Sequence, residues 1–527
     1  MTFKFFHKGA ALVLLCLMLF VMISGCGSNA SDPKKVGEKA YPSDQKEQVL
    51  RLGAARDFKS AAQGRNMVFE YLVSVDHEGN PVPMLAELWE IPGDSKTYVF
   101  KIREGVTFHN GTEFDASLAK FALEYNANNS VWGKYLDKIE TVDGNTVKVY
   151  LKDYYPLFLQ DLAKNLVVSP DAVDPKGDPS GKLAEYIGTG PFKLVSYHKD
   201  RDAELVRNDN YWGKKSEINR VIWKTIPDPH AQIVALKAGD VDMIGITEHH
   251  SSVPYVEVPA MEDAGINVDK TSYGRYQVLE FNTLREPFND RKVRMAFNYA
   301  IDKEKMVREL FHGLTEPAYT ITAPWFKYGP SKVNSKYFHY DLNKAKSLLT
   351  EAGWSMNSSG KLEKEGKPLE VELLIPAGEA NADAVAIFVQ SELKKIGVEL
   401  KLLTLESGAA WDRSKQGEYE MFVHHSFCLP WVPGGIDIGG KYHSGSTSWP
   451  AAYHSPELDR LIEEAWLTPD ESKRKELINK VWDILHYEAP CIPLYDIVKV
   501  SAYRESITGF KPAPTMFDMD FSEIKIN

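Results

Sequence analysis

His424, His425, Cys428 and His443 bracket a loop that also carries Phe427 and Trp431. Imidazole nitrogen suits nickel, zinc and copper, and a thiolate is a softer donor for the same ions. The neutral ring is the ligating form, so metal capture by such residues weakens as histidine protonates, near pH ~6.5 for an ordinary imidazole. The stretch 419–424 reads as a strand, which sends His424 and His425 to opposite sides and lets at most one face a cleft. Trp431 and Trp132 serve either as cleft walls or as core. His249 and His250 read as a surface loop, and His109 as a structural turn residue.

Residues for catalysis are missing. The chain has no H-E-x-x-H, no G-x-S-x-G elbow and no P-loop, and Gly188-Thr189-Gly190-Pro191 is a turn because no G-K-[ST] follows. An enzyme is therefore not expected, and no cofactor is called for. The formal net charge of −11 comes without a basic tract, which argues against a nucleic-acid partner. The 527 residues, 43% of them hydrophobic, suffice for two or three domains.

The N-terminus implies export. Lys4, His7 and Lys8 precede an apolar run over 10–23, which is short for a membrane span but suits a signal h-region. Ile23-Ser24-Gly25-Cys26 resembles a bacterial lipobox with Cys26 as the lipidated residue, so residues 1–25 are expected to be a lipoprotein signal peptide and 26–47 a flexible tether. The expected location is extracytoplasmic, anchored to the cell membrane through Cys26. Of the other cysteines, Cys16 leaves with the signal. Cys428 and Cys491 either form a disulfide or, for Cys491 in an apolar strand-like run, pack in the core.

Between the termini the pattern is α/β. The most informative stretch, 205–246, reads as turn, strand (220–226), turn, helix (231–238), turn and strand (241–246). Asp228 is placed to cap its helix, with Pro229 in the first turn and Gly239 at the end. Further helices are expected over 67–73, 116–126 (capped by Asp115, with Leu118, Phe121, Ala122 and Tyr125 inward), 155–163, 291–300, 303–310, 342–352, 382–396, 455–465 and 472–487. Strands are expected over 49–53, 98–102, 146–151, 369–375, 398–405 and 492–500.

Several blocks carry a family resemblance in a fixed order: Met84-Leu85-Ala86-Glu87-Leu88-Trp89, the segment 100–111 ending Phe108-His109-Asn110-Gly111, Ile187-Gly188-Thr189-Gly190-Pro191-Phe192, the Arg207–Ile244 region, Phe281-Asn282-Thr283, the block 293–301, the block 349–354 and Pro493-Leu494-Tyr495. Together they resemble the peptide- and nickel-type solute-binding proteins of ABC importers. The resemblance implies a two-lobe periplasmic-binding-protein-like clamp of class II type with an extra inserted α/β subdomain. Lobe I would be 48–280 (insertion about 76–185) completed by 490–527, and lobe II 281–489. It also implies a monomer that delivers a small ligand to a permease served by an ATPase.

The nickel-binding members look closer around Tyr154-Tyr155-Pro156 and over 510–526. By that resemblance His443 is the metal-binding histidine, and Phe427, Trp431 and Trp132 are aromatic walls. His424, His425, Cys428 and Tyr442 are further ligand-binding candidates. The arginines that hold a chelator's carboxylates in those members have no evident counterpart; Asn128, Asn129, Ser130, Lys164 and Asn165 stand there instead. The alternative is a di- or oligopeptide receptor. The loop lacks the aspartate that usually meets a peptide's ammonium, so Glu406 or Asp412 would have to replace it.

Overall fold

The Asp228 carboxylate accepts the Ala231 amide at 2.7 Å and starts the helix Pro229–Ala238, which ends at Gly239 with φ +81°. This is the expected strand–helix–strand unit, with one difference. Its two strands, Arg220–Thr225 and the two-residue Met243–Ile244, are not neighbours, because the first strand of the chain, Val49–Ala54, lies between them and pairs parallel with both. The structure is a computed structural model that describes residues 47–93, 95–173, 183–247, 253–326, 328–331, 338–379, 381–426, 435–445, 452–513, 515 and 517–527. Cys26 with the expected signal and tether, Phe427, Cys428, Trp431, His249 and His250 lie outside the described residues.

A ten-stranded mixed sheet organises the molecule. Its order is Glu399–Leu405, Glu370–Pro376, Met421–His425, Asn267–Phe281, Cys491–Tyr503, Met243–Ile244, Val49–Ala54, Arg220–Thr225, Asp202–Arg207 and Phe192–His198. The two longest strands, Asn267–Phe281 and Cys491–Tyr503, run antiparallel at the middle and join the two halves. Their register shifts between Ser272 and Tyr276, around Gly274 at φ +68°, where a Cβ would meet Phe326, Trp325 and Ala323 at 2.4–2.8 Å. Glycine is needed there for both backbone and space.

Three cores follow. One contains Leu50, Leu52, Phe192, Val221 and Trp223 beneath the Val49 end of the sheet. A second, with Phe100, Phe108, Trp132, Val147 and Phe158, fills the separate four-stranded sheet Ala86–Glu90, Thr97–Ile102, Thr146–Leu151 and Leu136–Asp143. The third and largest surrounds the Glu370–Pro376 end and reaches back to Ile233. Cys491 is buried in it, without a disulfide partner among the described residues.

Several local expectations need correction. Residues 67–73 are not helical: the helix is Ala62–Asn66, and the following run, buried except at the half-buried Tyr71, leads into the strand Val73–Val75 and shows no helical period to read. The helix Ala116–Ala127 is capped by Asp115 as expected, but it buries Ala116, Ala119, Ala122 and Leu123. It lies between two cores: Leu118 packs on the four-stranded sheet's core, and Phe121 and Tyr125 on the other. The helix read over 155–163 shortens to Phe158–Leu162.

Candidate ligand-binding site

The strand Met421–His425 pairs antiparallel with the long strand, setting His425 opposite Gln277 and His424 opposite Val278. Gln277 Nε2 donates to the His424 carbonyl at 2.6 Å. Both histidines are buried, at 1% and 4% exposure. Their rings do not separate as strand alternation alone requires. The centroids stand 4.7 Å apart, and Trp411 lies 5.1 Å from His424 and 5.9 Å from His425. The ladder ends at this point, and the helix Ser407–Lys415, which carries Trp411 and was not anticipated, covers both rings.

Further along the chain, the helix Gly435–Tyr442 brings in Lys441, whose Nζ donates to Glu280 Oε2 at 2.6 Å with both side chains buried. Burial pushes the Glu280 carboxyl up, and Lys441 draws it back down. Tyr442, expected at the ligand, is 2% exposed within the largest core. His443 emerges beyond the helix and stacks on Trp466 at 5.6 Å. Its Nδ1 accepts the Gly445 amide at 2.9 Å, which leaves the ring proton on Nε2, donated to Glu463 Oε1 at 3.1 Å. The carboxylate contact of His443 is Glu463, and among the described residues no three His, Cys, Asp or Glu side chains are grouped to hold a metal.

Trp132 is fully buried, edge-on to Phe158 at 5.2 Å, so it is a core residue here and not an open wall. The indole explains the asparagine behind it. Trp132 Nε1 donates to Asn165 Oδ1 at 2.8 Å, and Asn165 Nδ2 donates to Ser130 Oγ at 3.0 Å. Lys164 is taken by Asp161 at 3.1 Å. Of the acids named for a peptide ammonium, Glu406 caps the helix Ser407–Lys415 through Ala409 N at 3.1 Å, and Asp412 is exposed. His109 is structural as expected: its Nε2 donates to the Gly190 carbonyl at 3.0 Å, and burial lowers its pKa to about 4.

A residue missed by the sequence reading is Glu70, 1% exposed, beside a cavity of about 470 Å³ lined by Tyr71, Tyr211, Trp212, Met84 and Asp518. Its carboxylate accepts from Tyr211 Oη and Trp212 Nε1, each at 2.9 Å. Burial raises its pKa to about 7 against those hydrogen bonds. Asp518, on the same wall, accepts from Asn66 at 2.6 Å and from Thr515. Hollows of about 660 and 530 Å³ elsewhere are lined by no buried titratable group. The available signal was a lone acid inside Met67-Val68-Phe69-Glu70-Tyr71-Leu72-Val73.

The pattern of the bacterial extracellular solute-binding proteins, family 5 (middle portion), matches residues 80–435. The chain belongs to family 5. Among family 5 relatives it is 29% identical over 477 residues to the nickel-binding periplasmic protein of Escherichia coli (strain K12), covering 88% of this chain and 90% of the relative. It is 26% identical to the oligopeptide-binding protein AppA of Bacillus subtilis (strain 168), covering 96% and 97%. Its fold matches NikA from Brucella suis, solved in complex with Fe(III)-EDTA, with a TM-score of 0.83 at 26% identity over 91% of this chain and all of that one. These relatives are solute-binding transport proteins and not enzymes, and the periplasmic-binding-protein-like fold is as expected. Among the described residues no helix is long and apolar enough to cross a membrane.

Proposed function

We propose that this family 5 protein is the substrate-binding lipoprotein of an ABC importer. It would be anchored through Cys26, close two lobes (48–280 with 490–527, and 281–489) over a transition-metal chelate, most simply nickel, and pass the cargo unaltered to a permease. The observation that carries the metal reading is the environment of His443. A carboxylate, Glu463, holds Nε2–H and leaves Nδ1 as the unprotonated ring nitrogen, the arrangement that orients metal-ligating histidines. The present occupant of Nδ1 is a backbone amide two residues on, a local bond that a metal can displace. Ser130 and Asn165, which by the resemblance stand where arginines would hold a chelator's carboxylates, are neutral, which supports a chelator with fewer carboxylates, such as an amino acid. Phe427, Trp431, Cys428, His424 and His425 remain candidates for ligand contact.

The test is thermal unfolding with and without nickel–histidine. The chelate should raise the midpoint, His443→Ala should abolish the gain, and Glu463→Gln should weaken binding about 10–100-fold. A peptide receptor is the second reading, favoured by the likeness to AppA. It requires equal stabilisation by short peptides and none by nickel–histidine, with Glu70 or Asp518 rather than Glu406 or Asp412 meeting the ammonium.

A further inference from the structure

Tyr154 and Tyr155 are adjacent in the sequence and part company in the structure. Tyr155 turns into the core of the four-stranded sheet, stacks on Tyr135 at 4.7 Å and donates to Asp161 Oδ2 at 2.5 Å. Tyr154 turns the other way and meets Arg474, 320 residues along the chain, whose Nη2 donates to Tyr154 Oη at 2.5 Å. Arg474 opens the helix Glu471–Glu488, which packs in the largest core through Leu477, Ile478 and Val481. The bond thus joins two bodies with separate cores.

The guanidinium is fixed on its own side before it reaches across. Nε and Nη2 donate to the Thr468 carbonyl at 3.0 and 2.6 Å, and Nη1 donates to Tyr328 Oη at 3.2 Å. Tyr328 is itself tied down, its carbonyl accepting Trp482 Nε1 at 2.8 Å. A charged donor held in this way loses little freedom when it gains one more partner. A second contact bridges the same two bodies: the ring of His77, in the turn after the strand Val73–Val75, lies 6.3 Å from Trp325. Trp325 stacks on Phe326 at 4.4 Å, and both rest against Gly274 at the register shift of the long strand. Trp325 thus sits beside one of the two places where the joining strands shift register.

We propose that Arg474 and Tyr154 form a latch that favours the closed clamp, with Trp325 and His77 as its second point. The inference rests on the lobe-closure reading above and adds the residues that set its equilibrium. In the open form Arg474 keeps Thr468 and Tyr328, and Tyr154 Oη turns to water. Closure exchanges that water for a charge-assisted hydrogen bond. Ligand affinity then includes the latch, because the closed state that grips the ligand is the state the latch populates.

Small-angle X-ray scattering of the purified chain, titrated with nickel–histidine, tests this with Tyr154→Phe and Arg474→Lys. Tyr154→Phe removes one hydroxyl and no packing. It should shift the closed-to-open ratio about tenfold toward open, the weight of one charged hydrogen bond, seen as a larger radius of gyration and a need for about tenfold more chelate to contract. Arg474→Lys should do the same. Scattering curves that superimpose on wild type at every concentration overturn the latch, whether or not the chelate contracts the protein. If wild type ignores the chelate while Tyr154→Phe is more expanded, the latch stands and the metal reading falls.

Discussion

Replacing Lys441 by methionine is expected to lower the unfolding free energy at pH 7 by about 3–5 kcal/mol, the usual cost of stranding one partner of a buried ion pair. The side chains of Lys441 and Glu280 are 5% and 1% exposed, and the Glu280 Oε1 atom has no hydrogen-bond partner among the described residues, so the lysine is its main compensation. Methionine fills the space of the lysine stem and supplies no charge. Burial already pushes the Glu280 carboxyl upward, and without the lysine it rises further. The loss should therefore shrink as pH falls and the carboxyl takes a proton. Glu280→Leu combined with Lys441→Met should recover most of the stability, since a buried pair and an apolar pair of similar volume are close in free energy. Urea unfolding of the single and double variants measures this. A single variant as stable as wild type would show that the helix Gly435–Tyr442 is not held by this pair.

The second large effect is a pH dependence from Glu70. Its pKa rises from 4.5 to about 7 on folding. Between those values the folded state holds a proton that the unfolded chain has released, so the Glu70 contribution to stability falls as pH rises through the window. The span corresponds to about 3 kcal/mol. Two buried histidines act with the opposite sign over much of the same range. His109 and His486 are both lowered to about 4 by burial, so the unfolded chain binds more protons there and stability from them rises with pH. Glu70 must therefore be read as a difference. Glu70→Gln keeps an acceptor for the Trp212 N–H and offers an N–H to Tyr211 Oη, and it cannot ionise. Its stability relative to wild type should increase by about 3 kcal/mol from pH 4.5 to 7 in urea titrations. A flat difference would mean that the carboxyl titrates as an exposed one.

Local signals carried the fold well where a cap, a periodic face and a stop agree. Asp228 with Gly239, and Asp115, act as read. What escaped depended on tertiary context. The strand Asn267–Phe281 is polar at its start and broken by the register shift near Gly274, so it shows no clean period of two. Glu70 and Glu280 look like surface acids in the sequence and are buried because distant residues, Tyr211 with Trp212 and Lys441, come to meet them. Trp132 was read as cleft or core, and the core took it because Asn165 satisfies its N–H inside the second sheet's body. The ordered blocks resembling solute-binding proteins were legible in the sequence, and the family pattern matches residues 80–435.

Native mass spectrometry of the purified chain, exposed to nickel with histidine and to a mixture of short peptides, addresses the central claim most directly. A clamp for metal chelates should retain one adduct whose mass equals nickel plus a small chelator and release it chemically unchanged on mild unfolding. Retention of peptides with no nickel adduct, or recovery of an altered compound, would contradict the account.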